Sequence, residues 1–271
     1  MSRELTRGAY PSVVDQKIAH ALGLAEQDGR VNLANASVQT RLVVLPPLTV
    51  GPVRAESILV LTEDLSFFQK AVGHKVDAIV GLDVLRKSSF AIDYRAREML
   101  FGAIEKMAFS APFTTEMPVV TIATKFQSQN LRLVVDTGSP DVMLFESRMQ
   151  NTTGFEMLGT QKTVNLSGTF KLKKVRMPEV FLGQSTIGAQ EAFMVHDRKD
   201  DGDNFDGVLG MRGPQFQKIA FDFDHRRFSW ELQAVASRIT VAVRDELHRA
   251  TMGSLLFSEE QARFMRERLA R

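Results

Sequence analysis

The chain contains no cysteine. That excludes disulfides, thiolate nucleophiles and cysteine-held metals, and it leaves the redox compartment open. No apolar run approaches the ~18 residues that a membrane-spanning helix needs. The opening stretch, Met1-Ser-Arg-Glu-Leu-Thr-Arg-Gly8, lacks the apolar core of a secretory signal. As written, the sequence reads as unexported and cytoplasmic; an upstream start would carry any export signal with it. Charge of one sign is scarce too. Lys and Arg number 34 against 32 Asp and Glu, a net charge of +2. Such interspersed charge gives neither a nucleic-acid footprint nor a membrane-binding patch. The five histidines (20, 74, 196, 225 and 248) show no ligand spacing, so no metal site and no cofactor is expected. The acidic stretch Asp197 to Asp206 lacks the D-x-D-x-D-G order and following Glu of a calcium loop, and reads as a solvated loop.

What the chain does have is repetition. Its 271 residues, 44% of them apolar, suffice for one large domain or two small ones. Asp77-Ala-Ile-Val-Gly81 resembles Asp206-Gly-Val-Leu-Gly210, an offset of 129 (210 − 81). Phe90-Ala-Ile-Asp93-Tyr94 matches Ile219-Ala-Phe-Asp222-Phe223 at the same offset (222 − 93). Pro47 to Gly51 parallels Pro178 to Gly183, and Gly8-Ala-Tyr-Pro falls opposite Gly138-Ser-Pro. Anchors in one order at nearly one spacing mark a tandem duplication.

Short strands punctuated by Gly and Pro dominate both halves. Val119 to Thr124 and Leu131 to Val135 predict a hairpin around Gln127-Ser-Gln-Asn130. Phe170 to Val175, Val180 to Leu182 and Ala192 to Val195 predict further strands, as do Arg41 to Leu45 and Ser57 to Leu61 in the first half. Short helices are expected from Ser12 to Leu22 and after Gly81. The tail differs: Val243 and Leu247 stand one helical turn apart, and Ser258-Glu-Glu-Gln261 is a capping-box pattern.

The residues with chemical meaning are Asp136-Thr137-Gly138-Ser139, lying between the apolar runs Leu131 to Val135 and Val142 to Phe145. A carboxylate at the end of an apolar strand, followed by a hydroxyl and a glycine, has two readings: an acid held in place for catalysis, or an Asp-x-Gly turn in which Asp136 is only the cap. With Val208-Leu-Gly210 and Phe221-Asp-Phe223 following in order, the chain resembles the retropepsin-like aspartic peptidases, and among them bacterial proteins with two such domains in tandem. The resemblance covers roughly residues 6–232. It implies an all-β fold of two tandem acid-protease barrels, the first incomplete at its N-terminus, plus a short α-helical C-terminal tail. The expected division is a first lobe at 1–104, a linker at 105–116, a second lobe at 117–232 and the tail at 233–271.

In that family two carboxylates share a proton and activate water for peptide-bond hydrolysis. By resemblance Asp136 is the catalytic acid/base. Thr137 bonds across the lobe boundary, Gly138 lets its amide approach the carboxylate, and Ser139 bonds the outer carboxylate oxygen. Asp141 and Gly168 are candidates for substrate contact, Gly168 as the tip of a flap with Gly159-Thr160 as its rival. The expected partner is a peptide or protein substrate.

The first half breaks this pattern. Thr6-Arg7-Gly8 stands opposite Asp136-Thr137-Gly138, so the glycine survives and the carboxylate does not. Thr6 cannot act as a base near neutral pH, and Arg7 would bring a cation beside the site. The hairpin before Asp136 also has no counterpart before Thr6, and a lobe without it would expose an unpaired edge. Two accounts stay open: an Asp-bearing start lies upstream of Met1, or the first lobe has become a scaffold. The first would make an active endopeptidase, as would a homodimer pairing two second lobes across Asp136. The second would make a catalytically dead peptide-binding or scaffolding protein. Asp77, Asp93, Asp206 and Asp222, which recur between the halves, are expected to serve turns or strand ends.

Overall fold

Alternating burial along short strands, broken by turns at Gly and Pro, builds sheets around a shared apolar core. A computed structural model places residues 3–5, 11–32, 37–116, 119–127, 129–150, 152–165, 168–197 and 205–233. The expected tail helices at 241–270, and Thr6-Arg7-Gly8, lie outside these described residues.

The first half runs β1 (Arg3–Leu5), β2 (Val13–Asp15), α1 (Gln16–Ala21), β3 (Gln27–Asn32), β4 (Ser37–Val44), β5 (Leu48–Val50), β6 (Val53–Ala55), β7 (Leu59–Glu63), α2 (Ser66–Val72), β8 (Ala78–Ile79), α3 (Leu82–Leu85), β9 (Phe90–Asp93) and β10 (Glu98–Phe101). The second runs β11 (Phe109–Glu116), β12 (Val119–Phe126), β13 (Gln129–Val135), β14 (Val142–Phe145), β15 (Glu156–Asn165), β16 (Gly168–Leu182), β17 (Ser185–Val195), β18 (Gly207–Leu209), β19 (Phe216–Asp222) and β20 (Arg227–Leu232). The fold is all-β with three short α-helices among the described residues.

The duplication is visible in the strand pairing. The first half orders its strands β8-β2-β7-β4-β3, and the second orders theirs β18-β14-β17-β16-β15. Registers agree as well: Val13 and Val14 face Ile79 and Ala78, as Met143 and Leu144 face Val208 and Gly207. In the second half β13 joins the outer side of β18, β12 joins β13, and Phe126 of β12 returns to Val180 of β16. Those pairings close a barrel. No described strand does the same for the first half, where β1 lies on β3 instead. Two tandem barrel-like halves are observed, the second closed and the first without a closing strand among the described residues.

β9 and β19 join the two halves. Ala91 faces Ala220, its own counterpart in the repeat (220 − 91 = 129). Phe90 faces Phe221, the counterpart of Ile92 (221 − 92 = 129), and Ile92 faces Ile219, the counterpart of Phe90. Each contact is thus answered by its mirror, the signature of a two-fold relation. Residues 105–116, expected as a linker, are corrected here. They include β11, which pairs with both β20 and β12, because Ala111 and Phe113 alternate inward to the core while Pro112 faces out.

Aromatic rings fill the space beneath this sheet. Phe90 lies 5.0 Å from Phe221 between ring centroids, Phe221 5.2 Å from Phe228, and Phe228 5.7 Å from Trp230. Such tilted and stacked ring pairs contribute beyond the area they bury. Phe90→Ala removes a ring shared by both halves and should cost about 3–5 kcal/mol. A urea titration followed by Trp230 fluorescence should show a correspondingly lower midpoint.

Candidate functional site

β13 is an interior strand with β12 on one side and β18 on the other, and its apolar run is also buried on both faces. Asp136 is the residue at which this strand ends. Its N–H donates to the Leu209 carbonyl at 3.1 Å, which fixes it against β18. The chain then turns sharply: the Gly138 N–H donates to Asp136 Oδ1 at 2.9 Å, and the Ser139 N–H to the Asp136 carbonyl at 3.2 Å.

Two influences compete at this carboxyl. Loss of hydration raises its pKa above the ordinary 3.8, while the backbone N–H groups of Gly138 and Ser139 favour the charged form, and burial wins. The result is a carboxyl that holds its proton more readily than an exposed aspartate. No other carboxylate among the described residues contributes to that shift.

The surrounding residues are placed as follows. Thr137 lines a small pocket with Val135 and Phe221 of its own half and Val80, Gly81, Leu82, Leu85 and Phe90 of the other, so it stands at the lobe boundary. The Ser139 hydroxyl donates to the Asp141 carbonyl at 3.0 Å rather than to the Asp136 carboxylate. Asp141 Oδ1 accepts from Arg212 Nη2, and the Arg212 N–H donates to the Pro140 carbonyl, so this carboxylate braces the loop on which it sits. Gly168 faces Asn165 in the last rung of the β15–β16 hairpin, at the end of that long arm. Gly159 instead sits within β15 at a bulge, with φ of 132°.

Gly210 has the plainest steric role. A Cβ there would lie 2.3 Å from the Asp141 carbonyl oxygen, because the loop after the Asp136 turn packs directly on this backbone. The repeated aspartates serve strand ends and turns. Asp206 takes the Arg132 N–H on Oδ2 at 2.7 Å while its own N–H donates to the Arg132 carbonyl at 2.7 Å, clamping the strand that carries Asp136. Asp93 and Asp222 accept N–H groups within the turns of the β9–β10 and β19–β20 hairpins.

Tyr94 was not singled out by the sequence. Its hydroxyl is buried and finds no hydrogen-bond partner among the described residues. Burial, and after it the charge of Asp136, raises its pKa far above that of an ordinary tyrosine. The only signal in the sequence was a tyrosine standing where the other half has Phe223.

A family model described as aspartyl protease matches residues 7–84 and 122–212, one stretch in each half. The chain belongs to the aspartyl protease family. The retropepsin-like resemblance drawn from Asp136-Thr-Gly-Ser thus has its place within that family. Among solved structures, a retropepsin-like aspartic protease from Rickettsia conorii matches with 16% identity and a TM-score of 0.33, over 45% of this chain and 98% of that one. No curated protein matches the chain.

Two outcomes follow for this aspartyl protease family site. Gly210→Ala forces backbone apart beside Asp136 and should cost about 3 kcal/mol, read as a lower urea midpoint. Asp136→Asn should raise the melting temperature at pH 7. The folded carboxyl keeps its proton to higher pH than the unfolded one, so stability falls as the pH climbs from 3.8 through the raised value. The variant escapes that loss, and its advantage should vanish as the pH drops below 3.8.

Proposed function

We propose that the chain is an aspartic endopeptidase in which Asp136 supplies one of two carboxylates, and that turnover requires a second carboxylate opposite it. The observation that carries this reading is the seating of Asp136. It ends a doubly buried strand, anchored to Leu209, with its carboxyl held by the following amides and its pKa raised. With a second carboxyl about 3 Å away, both cannot ionise, so the pair holds one proton between them. The ionised member removes a proton from water, whose oxygen attacks the scissile carbonyl carbon while the protonated member donates to the carbonyl oxygen. Collapse of the resulting diol returns a proton to the amide nitrogen, and the C–N bond breaks. Substrate would lie extended between the lobes and add to the strands lining the cleft, with the β15–β16 hairpin as a flap.

A homodimer through the second lobe is one route to a second carboxylate, but β9 already occupies the edge of β19 that such a dimer would use. Forming it would mean displacing the first half. One observation favours a second reading, a peptide-binding protein without turnover. No other carboxylate among the described residues contributes to the raised pKa of Asp136, and its repeat counterpart is Thr6.

The deciding assay is cleavage of an unstructured peptide library at pH 4–6, alongside peptide affinity. Endopeptidase activity that Asp136→Asn lowers by about 10²–10⁴-fold supports the first reading. Peptide affinity unchanged in Asp136→Asn, with no cleavage by either protein, supports the second.

A further inference from the structure

The two halves differ in what covers equivalent strand edges. In the second half the outer edge of β18 is covered by β13, and Val180 to Leu182 of β16 is covered by β12. The counterparts in the first half are β8 and β5, and no described strand pairs with the outer side of either. Their side chains report the same difference. Leu209 is fully buried, whereas its counterpart Val80 (209 − 80 = 129) is 37% exposed. Val180 and Leu182 are buried, whereas Leu48 and Val50 are only partly so.

The duplicated aspartate sharpens the point. The carbonyls of Asp206 and Asp77 play one role: each accepts an N–H from the strand beside it, Phe145 in one half and Asp15 in the other. Asp206 also spends its N–H and its carboxylate on Arg132 of β13. Asp77 has a side chain 49% exposed and engaged by Lys75, a neighbour two residues away on the surface. Asp77 is thus a strand clamp with no strand to hold among the described residues.

We propose that the first half carries an acceptor site for a β-hairpin, bounded by β8 and β5, with Asp77 as its clamp. Its occupant is a polypeptide hairpin of the β12–β13 kind: an apolar strand running parallel to β8 and ending in Asp-Thr-Gly. The fit is set by the internal two-fold relation, which places such a strand on β8 as β13 lies on β18. The terminal carboxylate of that strand would then stand opposite Asp136, beside the pocket lined by Val80, Gly81 and Thr137. The catalytic consequence rests on the reading of Asp136 given above. The binding site itself does not.

The probe is a fluorescent peptide spanning residues 119–139 of this same chain, titrated onto the full-length protein and followed by anisotropy. Saturable binding is expected. Asp77→Ala should weaken it about tenfold or more through loss of a charge-assisted bond to the strand backbone, and Val80→Lys should weaken it by crowding the edge. Both positions are exposed, and unchanged melting curves would show that the variants fold. A photo-crosslinking version of the peptide should mark residues 77–81. Absence of saturable binding, or crosslinks confined to 206–210, overturns the proposal. A peptide carrying Asp136→Asn should bind equally well without supporting cleavage. Binding by both peptides with cleavage from neither would uphold the acceptor site and remove the peptidase reading.

Discussion

The antiparallel pairing of β9 with β19 sets the geometry on which everything else depends. Because Ala91 meets its own counterpart Ala220, the two halves can be related only by a two-fold axis through that pair. That axis brings α3, the Gly81 turn and Phe90 up against Thr137 and Phe221. It also carries Tyr94 across the boundary, where its N–H donates to the Gln217 carbonyl at 3.0 Å. One short run of ladder bonds thereby places a first-half phenol and a second-half carboxyl in the same electrostatic neighbourhood. The aromatic rings under the sheet hold this arrangement by burial rather than by directional bonds.

At Asp136 itself the competition is between hydration and hydrogen bonding. A carboxylate at the end of a strand buried on both faces loses water, and two backbone amides return only part of that loss. A second carboxylate would push the pair's affinity for a proton higher still. Without one, Asp136 is a single weak acid with a raised pKa. The same asymmetry recurs at larger scale: the second half closes its barrel with β12 and β13, and the first half leaves the matching edges uncovered by any described strand.

Much of this was legible in the sequence because the repeat is written in residues that backbone geometry dictates. At Gly210 a strand and a loop approach too closely for any side chain, and Gly81 stands at the matching place in the first half. Asp93, Asp206 and Asp222 each accept backbone N–H groups at a turn or strand end, work that favours this residue type. The expected hairpin before Asp136 is β12 and β13, and the expected short helices are α1 and α3. Strand lengths were harder to read. Pro178 read as a break, yet β16 runs through it, since Pro178 falls at a bulge between Met177 and Val180 where the ladder does not need its missing N–H. The partners of Ser139, Asp141 and Tyr94 were not legible at all, because they depend on how loops and lobes meet rather than on spacing along the chain.

The central claim is that Asp136 is a single buried carboxyl, with no second carboxylate coupled to it among the described residues. The most direct test is the titration of its side-chain carboxyl carbon by NMR, assigned through Asp136→Asn. A single ionisation displaced above 3.8 is the predicted result. Two coupled steps, the mark of a carboxylate pair, or a value below 3.8, would contradict it.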